Sequence, residues 1–205
     1  MIPQSRAEVA RKRAYWDALY ARGLHSLELT EQEVVRFRQH VQPEGWMTAV
    51  DVGCGRGDLA AAMARMGMLV TGYDWSDVAV RTARAIHGQR RLRFHTHDFV
   101  ADPSPELLVP GGTDVVACRL TLQYLGRDPL LSHVRRWLRP DSGVLYLVSQ
   151  VLEKQPPDGQ ERGFPNVAIE ALRQGWRSTV RYDLDPAGAM TCLVLRGPIK
   201  HRSAA

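Results

Sequence analysis

The chain is short of several things, and each shortage removes a class of protein. It has only three lysines, Lys12, Lys154 and Lys200, and none stands directly after its glycine-rich stretch at residues 53–57, which excludes a P-loop. Its three cysteines, Cys54, Cys118 and Cys192, stand far apart and give neither a disulfide framework nor a zinc spacing. A reduced, cytoplasmic protein is the expectation that follows. No apolar run approaches the ~18 residues needed to cross a bilayer, so no membrane association is expected. The opening MIPQSRAEVARKR lacks the apolar segment of a secretory signal. No H-x-x-x-H and no acidic cluster argues for a metal, and none is expected.

What is present is an ordinary balance for one globular domain over residues 1–205, with 44% apolar and 24% charged residues. The net charge of +5 invites a nucleic-acid reading. The arginines are scattered apart from Arg11-Lys12-Arg13 and Arg90-Arg91, and arginine in place of lysine fits the codon usage of a GC-rich genome. Nucleic acid is therefore disfavoured as a partner.

The stretch that organises the rest is Thr48 to Gly57, TAVDVGCGRG. An apolar run ends in an acid, and Gly53, Gly55 and Gly57 follow at alternate positions. Such glycines make a turn tight enough to bring bare backbone against a ligand. Helix formers follow from Asp58 to Met66, so the unit reads strand, turn, helix. A dinucleotide fold would place its third glycine at position 58, which is Asp58.

Before this unit lie two expected helices. Ser5 to Arg22 has Ser5 as cap, Glu8 three residues on, and Trp16 and Tyr20 on one face. Glu28 to Val41 has Thr30 as cap, with Glu33 completing a capping box. Residues 1–45 thus read as a helical cap region and 46–197 as a core. The aromatic face of the first helix either docks on the core or covers a ligand, and the two are compatible.

After the unit, Met68–Tyr73 reads as a second strand with Asp74 at its end, about 20 residues beyond the turn. An acid there matches a ribose diol, and Trp75 offers adenine a flat face. Ser76 caps the next helix, leaving Asp74 for ligand work. Leu92–Thr96 is a third strand ending in His97-Asp98-Phe99. Asp114 to Leu125 is a buried strand running into a loop and a helix start. Asp128-Pro129 opens a helix, and Val144–Val148 is a fifth strand. The polar, proline-rich loop from Ser149 to Gly163 sits at the ligand edge. A short helix capped by Asn166 precedes a hairpin of Arg177–Leu184 and Met190–Arg196 around Asp185-Pro186-Ala187-Gly188.

The D-x-G-x-G-x-G of residues 51–57, with Asp74, Asp98-Phe99 and the segment after 114 in order, resembles the motifs of class I S-adenosylmethionine (SAM)-dependent methyltransferases. The resemblance runs over residues 48–197. It implies a three-layer, Rossmann-like α/β sandwich whose mostly parallel seven-stranded sheet ends in an antiparallel hairpin, with an N-terminal helical cap. It implies SAM as cofactor, held by Asp51, Gly53, Cys54, Gly55, Gly57, Asp74, Trp75, Asp98, Phe99 and Arg119, with Trp16 and Tyr20 in the cap. In the family the motif acid orients the ammonium group of SAM, and an acid-hydrophobe pair like Asp98-Phe99 holds adenine.

SAM carries an activated methyl group, so the protein must mainly place an acceptor ~3 Å away and exclude water. Tyr124 and Arg119 are the acceptor-side candidates. Arg119 pairs with a substrate carboxylate, with Asp114 or with Asp98. His95, His97 and His133 read as structural. A small-molecule acceptor, as in biosynthesis, and a monomer or homodimer are expected. The alternatives are a nucleic-acid or protein methyltransferase and a non-enzymatic SAM-binding protein. Against base methylation, no Asn/Asp-Pro-Pro-Tyr follows the fourth strand, and Cys118 lacks the preceding proline of a cytosine-C5 nucleophile.

Overall fold

Runs rich in Val, Ile, Leu and Ala with no polar alternation belong to strands covered on both faces. The computed structural model, which describes residues 6–23, 27–125, 127–155 and 163–199, turns them into one sheet. Its strands are β1 (Thr48–Val52), β2 (Leu69–Asp74), β3 (Leu92–Thr96), β4 (Val115–Arg119), β5 (Val144–Gln150), β6 (Trp176–Asp183) and β7 (Met190–Pro198). They lie in the order β3-β2-β1-β4-β5-β7-β6. The first five are parallel, and β7 runs antiparallel to both neighbours. This is the expected sandwich with its terminal hairpin.

The helices are α1 (Arg6–Ala21), α2 (Glu31–Val41), α3 (Asp58–Arg65), α4 (Asp77–Ile86), α5 (Leu122–Leu125), α6 (Arg127–Trp137) and α7 (Asn166–Ala171). Alternate residues of each inner strand feed two cores. Val144, Tyr146 and Val148 of β5 join Phe37, Met63 and Phe94 on one face. Leu145 and Leu147 join Tyr73, Phe99 and Trp137 on the other. Each large side chain buried this way contributes about 1.5–3 kcal/mol.

The helix before β1 starts at Glu31 rather than Glu28, because Thr30 is the cap and its hydroxyl accepts from the Glu33 N–H. The second half of the expected capping box is wrong. The Glu33 carboxylate does not turn back to the cap; it is buried and bonded to Arg119 and Tyr146. Asn166 does not cap α7 with its side chain either. Pro165 precedes the helix, and the Asn166 N–H is taken by the Glu153 carboxylate at 2.9 Å. The expected cap Ser5, and residues 156–162 of the proline-rich loop, lie outside the described residues.

Candidate active site

In this strand order the chain leaves β1 toward β2 on one side and β4 lies on the other, so the loops after β1 and β4 diverge and open a crevice. A cleft of about 960 Å³, counted out to its solvent mouth, fills it. Its floor is the glycine turn. Gly53, Gly55 and Gly57 all have left-handed φ, at 68°, 54° and 84°, a conformation that favours glycine.

Asp74 at the end of β2 locks this turn. One carboxylate oxygen accepts from the Gly55 N–H and the other from the Ser76 N–H, both at 2.9 Å. Asp74 is thus not left wholly free, although each oxygen keeps a second lone pair for a ligand. Ser76 caps α4 as expected, its hydroxyl accepting from the Ala79 N–H at 3.1 Å. Burial pushes the Asp74 carboxyl up to about 6, against the pull of the two backbone donors. Asp51, at the end of β1, is buried at 2% exposure. Burial pushes it up to about 7, with Arg119 as the main opposing charge. Two carboxylates raised by burial on one cleft wall favour a ligand that brings a fixed positive charge and hydroxyl donors.

The other walls come from six places. Trp75 follows β2, and His97 and Phe99 follow β3. Arg119 ends β4, Leu120 and Thr121 follow it, and Tyr124 and Leu125 belong to α5. Leu27 and Leu29 precede α2, and Trp16 and Tyr20 reach in from α1. Trp16 meets Tyr124 edge-on with ring centres 5.3 Å apart. The Tyr20 hydroxyl lies so close over Gly55 that a Cβ there would come within 2.9 Å of it. Helix α1 is held to α4 by Arg13–Asp77 at 2.5 Å and by a short contact from the Ser76 hydroxyl to Asp17.

Two expected cofactor residues are not among those lining the cleft. Gly57 backs against Phe94, which a Cβ would meet at 2.5 Å. Asp98 turns its carboxylate to its own loop, accepting from the Val100 and Ala101 N–H groups at 2.9 and 3.2 Å. Arg119 lines the cleft but pairs with neither Asp114 nor Asp98. Asp114 is taken by Arg139 at 2.6 Å, and Arg119 by Glu33 at 2.8 Å. Sequence reasoning missed Glu33, which carried the signature of a cap. It also missed Leu120, a non-glycine residue at φ 58° beside the cleft, and Thr121, whose hydroxyl donates to the Arg119 carbonyl at 2.9 Å. Neither has a signal in the sequence. His97, read as structural, does line the cleft, with its Nε2 2.6 Å from the Asp102 carbonyl. Among the described residues no cluster of three His, Cys, Asp or Glu could hold a metal, and no helix is long and apolar enough to cross a membrane.

Residues 49–141 match a family described as a methyltransferase domain. This part of the chain is a class I methyltransferase domain. The ubiquinone biosynthesis O-methyltransferase of Thiobacillus denitrificans is 33% identical over 99 residues, 47% of this chain and 42% of that protein. The protein of the same name from a Caulobacter species is 25% identical over a 204-position alignment covering 77% of this chain and 78% of the relative. The chain spans about two fifths of the length of the first curated relatives it matches, at 42% and 40%. A SAM-dependent methyltransferase from Aquifex aeolicus has the same fold, with a TM-score of 0.69 at 16% identity over 87% of this chain and 97% of that one.

SAM is the cofactor of this class, and the residues of the methyltransferase domain fit it. The cleft supplies two buried acids for a cation and a diol, a floor with no side chains at Gly53 and Gly55, and flat apolar faces at Trp75 and Phe99.

Proposed function

We propose that this chain is a SAM-dependent methyltransferase acting on a small molecule through a hydroxyl oxygen. The observation that carries the reading is the convergence of Asp51, Asp74 and the glycine turn on one crevice, under an aromatic cover from α1. The curated relatives are O-methyltransferases, which supports oxygen as the acceptor atom. In this reading residues 1–205 act as one unit, with 1–45 as cap and 46–197 as the SAM-binding core.

When bound, SAM supplies a methyl group on a sulfonium, already activated for in-line displacement. The chain's own residues do the rest. Asp51 holds the ammonium group and Asp74 the ribose hydroxyls. Trp75 and Phe99 flank adenine, and Asp98 and Gly57 act by shaping the loops around it. Trp16 and Tyr20 exclude water, and Tyr124, at the mouth, faces the acceptor. Holding the two reactants together in a dry cleft is the main catalytic contribution in such a site.

Calorimetry with S-adenosylhomocysteine and with NAD tests the cofactor half. Micromolar binding of the first and none of the second is expected; tight NAD binding would overturn it. Turnover of methyl-labelled SAM with hydroxylated small molecules, compared with RNA and protein acceptors, tests the other half.

A further inference from the structure

Helix α2 sends one acid inward. Glu33 is 1% exposed and sits in a fully made set of bonds. Arg119 grips it with two nitrogens, Nε to Oε1 at 2.8 Å and Nη2 to Oε2 at 3.0 Å. The Tyr146 hydroxyl donates to the same Oε1 at 3.2 Å. Arg119 then reaches the segment before α2, donating to the Leu27 carbonyl at 2.7 Å and the Glu28 carbonyl at 3.0 Å. That segment is a wall of the cleft, through Leu27 and Leu29.

The geometry has a second side. Asp51 pairs in register with Ala117, and Arg119 stands two residues farther along β4, on the same face of the sheet. Arg119 is the cation whose field already reaches Asp51. The Arg119 side chain is only 9% exposed, and a guanidinium so placed that loses its carboxylate does not stay unpaired, because a poorly compensated charge there is unfavourable. Asp51 is the buried acid available to it.

We propose that Glu33 is a positioning residue for cofactor binding: by holding the Arg119 guanidinium against α2 and the 27–28 carbonyls, it keeps Asp51 open to the ammonium group of the cofactor. This rests on the function proposed above. Glu33 touches no cofactor and acts only through Arg119.

The test compares wild type, Glu33→Gln and the double variant Glu33→Gln/Arg119→Gln in full-length protein. Two measurements are made: S-adenosylhomocysteine affinity by calorimetry, and the Asp51 titration midpoint by carboxyl carbon NMR without ligand. The other ionisable groups whose charge bears on Asp51 are Asp74, Asp58, Tyr20, Cys54 and Cys118, and all are common to the three proteins. Glu33→Gln is expected to melt cooperatively, to bind at least tenfold more weakly, and to show a lower Asp51 midpoint as Arg119 closes on it. The double variant has no cation to take Asp51, and its Asp51 midpoint is expected to lie above that of wild type. Unchanged affinity and an unmoved midpoint in Glu33→Gln would overturn the proposal. So would a loss of affinity in Glu33→Gln with an unmoved midpoint, which is what a purely structural acid predicts, or a lowered midpoint that persists in the double variant. Wild-type protein that binds no S-adenosylhomocysteine would instead overturn the functional reading, and the NMR midpoint separates the two failures.

Discussion

Helices α1 and α2 follow one another in the chain and are held by opposite means. Helix α2 puts Phe37 and Val41 into the core, with the Phe37 ring edge-on to Tyr146 at 4.8 Å. Its acid Glu33 is buried with Arg119. Helix α1 has no fully buried residue from Lys12 to Ala21. Its ties to α4 are the exposed Arg13–Asp77 pair and the Asp17 contact, and its aromatic residues Trp16 and Tyr20 face the cleft rather than the core. A cap that reads as one region in sequence is thus an anchor followed, outward, by a cover. Burial makes the first; a few polar contacts, each of small net value, make the second.

The strongest way to break this contrast is to cut into α2. Phe37→Ala should cost ~3–5 kcal/mol of stability, visible as a large fall in melting temperature, because it opens a cavity in a packed core. Deleting residues 1–23 should leave cooperative melting in place and lower cofactor affinity instead. Equal loss of stability from both would show that α1 belongs to the core.

A middle-sized effect is expected on the cleft floor. Asp74→Ala should weaken cofactor binding by ~1.5–3 kcal/mol, measured by calorimetry, since a charge-assisted contact is lost. The Gly55 and Ser76 N–H groups also lose their acceptor, so some stability should go with it. A collapsed melt with unchanged affinity in the folded fraction would make Asp74 structural.

The smallest effect sharpens the cover. Arg13→Ala should cost under ~1 kcal/mol of stability, the range of an exposed pair. Hydrogen exchange over Tyr15 to Tyr20 should be fast without S-adenosylhomocysteine and slow with it. Strong protection in both states would mean that α1 does not open.

The fold was legible because it rests on local signals. The apolar run at 48–52, the three glycines and the acid at the end of β2 are all read within 30 residues, and the strands follow from their composition. Helix and strand ends moved by a residue or a few, as at Leu69 and Gln150, where hydrogen bonding with the neighbouring strand rather than propensity fixes the limit. What stayed hidden was pairing at a distance. Arg119 and Glu33 are 86 positions apart, and each had a plausible nearer role, Arg119 with Asp114 and Glu33 with its own cap. Asp98 was assigned a ligand, yet the loop that follows it offers two N–H groups at once. Local competition for an acid is invisible until the loop has a shape.

Gly53 carries one more consequence. A Cβ there would sit 2.1 Å from the Thr121 methyl carbon, so the space a side chain would fill is already filled from the loop after β4. The smallness of this residue serves the joint between two neighbouring loops before any ligand arrives. Gly53→Ala would therefore push the turn after β1 and the loop after β4 apart, and its loss of affinity would report a sprung joint. Gly55, where an added Cβ would first meet the tip of Tyr20 on α1, is the position where an added methyl group reads the cover instead.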